Sequence, residues 1–140
     1  MKQFILIITL LCTSLFARGQ GFINATQFEI LNNHANANIK IIDYNDDESY
    51  MIKTSDDVAI GFFFINSKTG RCNYSILVPK ETDVFGALLE SAQDNFKVVI
   101  NNKKWTNSNH GIDVKINTFY DNNFQSNIFV YEDVTPKDDE

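Results

Sequence analysis

From Ile39 to Tyr131 the chain is cut into short apolar runs of strand length by clusters of Asn, Asp, Ser and Gly. Strand signals fall at Ile39–Tyr44, Tyr50–Thr54, Val58–Asn66 and Cys72–Val78 in the first half. In the second half they fall at Phe96–Ile100, Lys104–Thr106, Ile112–Tyr120 and Asn127–Tyr131. Asn45-Asp46-Asp47, Ser55-Asp56-Asp57 and Ser67-Lys68-Thr69-Gly70 separate the first four, because these residues accept the backbone geometry of tight turns. Asn101-Asn102 suits a two-residue hairpin for the same reason. Pro79 has no N–H to give a central ladder and marks the end of the fourth strand.

Two stretches escape this rhythm. Over Thr26 to Asn36, Phe28, Leu31 and Ala35 recur with helical spacing. Over residues 83–94, Phe85, Leu88, Leu89 and Ala92 form a second stripe, with Thr82 or Asp83 able to cap its start. The element order is therefore helix then strands, twice.

The two halves also align. Phe28, Leu31, Ala35, Asn38 and Lys40 match Phe85, Leu88, Ala92, Asn95 and Lys97. Asp57, Val58, Ile60, Phe63 and Asn66 match Asp113, Val114, Ile116, Phe119 and Asn122. Ile76 and Val78 match Ile128 and Val130. The pattern predicts an α+β fold of two tandem helix-plus-antiparallel-meander units, α-β-β-β-β twice. They would share one twisted sheet, with both helices on one face. The units would span 24–79 and 81–132, within a single domain over 20–135 that ends in a flexible acidic tail, 136–140.

Strands turn successive side chains to opposite faces. Taking the phase from Val114 and Ile116, the helix-covered side should carry Val58, Ile60, Ile76, Val78, Ile128 and Val130. Ile39, Ile41, Phe96 and Val98 join them. The helix-free side would then hold Tyr44, Phe63, Ile65, Leu77, Phe119, Phe129 and Tyr131, with Trp105 on a short strand beside them. An aromatic sheet face with no helix over it predicts a contact surface for a protein partner or a second copy.

Residues 1–19 have the make-up of a cleavable secretory signal. Lys2 gives a basic start, Phe4 to Leu11 is an apolar run, and Ala17-Arg18-Gly19 sets small residues at the two positions a signal peptidase reads. Gln20 would begin the mature chain, in a periplasm or outside the cell; a cut after Ala17 is the second choice. Cys12 offers a lipid-anchored alternative, although Leu11 is larger than the residue such a site prefers before the cysteine. The apolar run is short for a stable membrane span.

Loss of the cations Lys2 and Arg18 takes the formal charge from −6 to −8. An acidic surface repels phosphate backbones, so nucleic acid is excluded as a partner. Of the two cysteines, only Cys72 would remain after cleavage, which rules out a disulfide within the mature chain.

The chemistry is sparse. Asp43-Tyr44-Asn45-Asp46-Asp47-Glu48 opens like a calcium loop, but Glu48 stands where glycine is required and Thr54 where a bidentate Glu is required. His34 and His110 have no second ligand at metal-binding spacing. No cofactor and no metal are expected. The leading expectation is an exported, non-enzymatic interaction protein. The alternative is a small thiol-dependent hydrolase using Cys72 and His110, with Asp113 available to orient the histidine.

Overall fold

The computed structural model describes residues 21–43, 49–95, 98–101, 104–109 and 112–136. The predicted signal, Tyr44, the acidic loop after it, His110 and the last four residues lie outside that set.

Among the described residues eight strands form one antiparallel sheet in the order β1-β2-β3-β4-β8-β7-β6-β5. They are β1 Asn38–Asp43, β2 Ser49–Ser55, β3 Ala59–Asn66, β4 Arg71–Pro79, β5 Val98–Asn101, β6 Lys104–Asn109, β7 Ile112–Asp121 and β8 Ser126–Asp133. The described residues also form two helices, α1 Gln27–Asn33 with 7 residues and α2 Thr82–Asn95 with 14.

This corrects the expected architecture. The molecule is sheet-dominant rather than a pair of helix-plus-meander units. One core cluster joins Ile52 and Phe63 from the first half to Ile116 and Tyr131 from the second, so neither half has a core of its own. The aligned residues also part company. A duplicated unit must set equivalent residues on the same face, because one residue of slip turns every side chain over. Phe63 lies in the helix-covered cluster, while Phe119 pairs with Ile128 on the opposite face. Ile60 packs on the helix-free side and Ile116 in the helix-covered core.

α1 is shorter than its apolar spacing predicts. Its start is firm: the Thr26 N–H donates to Glu29 Oε2 at 2.8 Å, and the Glu29 N–H donates to Thr26 Oγ1 at 3.3 Å, a reciprocal capping box. Its end is taken over by side chains. Asn33 Nδ2 donates to the Glu29 carbonyl at 2.7 Å, and His34 Nδ1 lies 2.7 Å from the Ile30 carbonyl. Local bonds of this kind compete with helical continuation. Ile30 is fully buried, but Phe28 is 75% exposed and forms no part of the core.

The turns are built from the polar residues between the strands. Asp56 Oδ1 accepts from the Val58 and Ala59 amides at 2.8 Å each. Asn66 Oδ1 accepts from Lys68 N at 2.9 Å, and Gly70 follows with φ +67°. Asp121 Oδ1 accepts from Asn123 N at 2.8 Å.

The N-terminal stretch of the described chain is stitched to β4. Asn24 N donates to Cys72 O at 2.7 Å, Cys72 N donates to Ala25 O at 2.8 Å, and Ser75 Oγ donates to Gly21 O at 2.6 Å. Phe22 packs edge-on against Phe63, their ring centroids 5.5 Å apart. Val84, Phe85 and Leu89 of α2 pack against the same cluster.

Candidate functional site

The helix-free face is apolar at its centre. Val78, Ile128 and Val130 are 6%, 2% and 7% exposed there, although neither of the helices among the described residues lies over them. Their cover is their own neighbours: Ile60, Phe62, Tyr74 and Ile76 are partly buried against them. Phe124, on the turn between β7 and β8, reaches Phe62 with ring centroids 5.5 Å apart. Phe64 and Tyr74 meet edge to face at 5.5 Å. Lys53 carries its ammonium 5.7 Å above the Phe62 ring. The cross-strand row Lys53–Phe62–Ile76–Val130–Asn117 runs across this face, and cross-strand partners share a side. Partly buried rings around an apolar centre make a surface that can exclude water from a partner without first rearranging.

The residues here are not those expected from the sequence. Phe63, Ile65, Phe129 and Tyr131 are each fully buried, and Leu77 is 4% exposed, all in the cluster that the helices cover. They are core residues, and the contact face of β3 is built by Phe62 and Phe64 instead. Correspondingly, Ile60, Ile76, Val78, Ile128 and Val130 sit on the helix-free side rather than under the helices. Phe119 lies on the helix-free face and is 44% exposed. Trp105 stands in β6 opposite Ile116 of β7 and Val99 of β5. Tyr44 lies outside the described residues.

A bulge helps to set the phase. Phe64 pairs with Tyr74 but Ile65 pairs with Cys72, which leaves Asn73 extra on β4. The extra residue turns Cys72 toward the helices and lets Tyr74 face the other way.

Cys72 is 1% exposed, and its thiol donates to the Tyr74 carbonyl at 3.3 Å. Burial pushes it up to about 12 from an ordinary 9.0, against the opposing pull of the backbone hydrogen bonds. A nucleophilic cysteine needs the reverse, a thiolate favoured by nearby positive charge and open to substrate. Tyr131 is raised in the same direction by burial.

A buried thiol keeps its proton at a pH where the unfolded chain has lost it. Its contribution to stability is therefore complete below pH 9 and is lost as pH climbs toward about 12. Each such group removes about 1.4 kcal/mol per pH unit within that window. Melting followed by circular dichroism should show stability falling above pH 9, with a shallower decline between pH 9 and 10 for Cys72→Ala. An equal slope in that variant would contradict the buried-thiol assignment.

Among the described residues no three His, Cys, Asp or Glu side chains come together as metal ligands. Among the same residues no helix is long and apolar enough to cross a membrane. Comparison with known protein families, curated proteins and solved structures gave no match.

Proposed function

We propose that this chain is an exported, non-enzymatic interaction protein that holds a protein partner against the helix-free face of its sheet. The observation that carries the proposal is the layer of partly buried rings of Phe62, Phe64 and Tyr74, with the exposed Phe124, around Val78, Ile128 and Val130. Apolar patches of this kind on soluble domains mark contact sites. The leader-like segment 1–19 supports export, and the acidic charge supports a protein rather than a nucleic-acid partner.

A photo-crosslinking side chain at position 62 tests the surface in cells of the source. Position 62 should give a covalent adduct with a second protein in the exported fraction, and position 28 on α1 should not. Adducts of equal yield from both positions, or none from position 62, would remove the surface. The mass of the recovered chain tests export separately, with a mature start at Gln20 expected.

The thiol-hydrolase reading requires a reactive Cys72. Its burial and raised pKa favour the interaction reading over that alternative.

A further inference from the structure

The helix-free face is not evenly charged. Across β1 to β4 the described strand positions on the side of Phe62 hold Lys40, Lys53 and Arg71 and no aspartate or glutamate. Arg71 is engaged with its own chain, donating from Nη1 to the Asn24 carbonyl at 2.9 Å. β7 and β8 mix their signs instead, with Lys115 directly opposite Glu132. A chain of formal charge −6 thus gathers two lysines at one end of this face.

The two lysines also oppose each other. Lys40 pairs with Lys53 in the register of β1 and β2, and Lys53 pairs in turn with Phe62 of β3. Like charges directly opposite across a strand pair are destabilising. A lysine on an edge strand discourages pairing with a foreign sheet, which accounts for Lys40, because β1 ends the sheet order. It does not account for Lys53, because β2 lies between β1 and β3. The Lys53 ammonium is held 5.7 Å above the Phe62 ring, at the border of the apolar centre.

We infer that the partner docked on this face presents a carboxylate-rich segment, with its acidic side chains at Lys40 and Lys53 and its apolar ones over Phe62 and Ile76. The inference rests on the helix-free face being the docking surface. A carboxylate placed at the lysine end replaces one repulsion with two attractions. A partner seated on Phe62 and Ile76 excludes water beside it and so strengthens those attractions. Strands lie about 4.8 Å apart, so Ile76 is about 10 Å from Lys53 across the sheet, the span of three or four extended residues. One short segment therefore reaches both ends. Nucleic acid and anionic lipid also carry negative charge, but their extended surfaces would meet the acidic remainder of the chain, whereas a short acidic segment meets the lysine end alone.

The cross-linking side chain at position 62 reads this out in cells of the source. The partner peptide joined to it, identified by mass spectrometry, should carry at least two Asp or Glu within about four residues of the attachment point. Lys53→Glu should lower the yield of adduct about tenfold, and Lys40→Glu should lower it as well. Lys68→Glu, exposed on the turn between β3 and β4, should leave it unchanged. Stability should not follow the adduct. Lys40→Glu sets a carboxylate opposite Lys53 and turns a like-charged pair into an attractive one, so this variant should melt no lower than its parent.

Absence of any adduct at position 62 would remove the docking surface and the inference with it. An adduct that survives both charge reversals, that joins a peptide without carboxylates, or that has twice the mass of the chain itself would overturn the acidic segment while the surface stands. A Lys40→Glu chain that melts well below its parent would overturn the opposed placement of the two lysines on which the inference is built.

Discussion

Phe63→Ala should destabilise the protein by about 3–5 kcal/mol, whereas Phe62→Ala, one residue earlier on the same strand, should cost about 1 kcal/mol. Phe63 has no exposed surface. Its ring stands 5.5 Å from Phe22 and 5.4 Å from His34, between the N-terminal segment and α1. It also lies over Gly61, where a Cβ would come within 2.6 Å of the ring, so the strand has made room for it. Removing the ring leaves a cavity that this close packing cannot fill. Phe62 points the other way and keeps part of its surface in water. Urea unfolding of the two variants compares them directly. A larger loss at position 62 would place the core on the wrong side of the sheet.

Gly21→Ala should be comparably damaging, costing on the order of 3–5 kcal/mol. Gly21 has φ +62°, a left-handed conformation that favours glycine. A methyl group there would press into the Tyr131 ring and come within 2.6 Å of Ser75 Oγ. Tyr131 and Ser75 are both fully buried, so neither can step aside cheaply. The same change at Gly70, where a Cβ would meet nothing, carries only the backbone strain. Thermal melts of the two variants should therefore separate widely, and equal melting temperatures would mean that the N-terminal segment is not docked as described.

These two positions also show what could be read from the residues alone. β7 alternates cleanly, with Val114 and Ile116 between Asp113, Lys115 and Asn117, and its predicted phase agrees with the core. β3 reads Ala-Ile-Gly-Phe-Phe-Phe-Ile from Ala59 to Ile65, apolar on both sides, so periodicity contains no phase there. Aligning the two halves carries the β7 phase onto β3 and places Ile60 under the helices, whereas Phe63 is the residue buried there. In β4 the bulge at Asn73 is local geometry that alternation cannot foresee. In β8 the run Ile128-Phe129-Val130-Tyr131 is again apolar on both faces. Turn residues, by contrast, located every strand break among the described residues to within two or three positions, because Asp56, Asn66 and Asp121 bond the turns themselves.

The place of β8 between β4 and β7 has a consequence for how such a chain is made. The strand that comes last in sequence among the described elements is the one that joins the two halves. Until it arrives, β4 offers an open seam with apolar side chains on both sides, and the meander before it cannot close into a finished sheet. Long-range pairing of this kind slows folding, because a large loop must be ordered before the contacts reward it. Under the export proposed above, such a delay would keep the chain slack and threadable while it crosses a translocation pore N-terminus first.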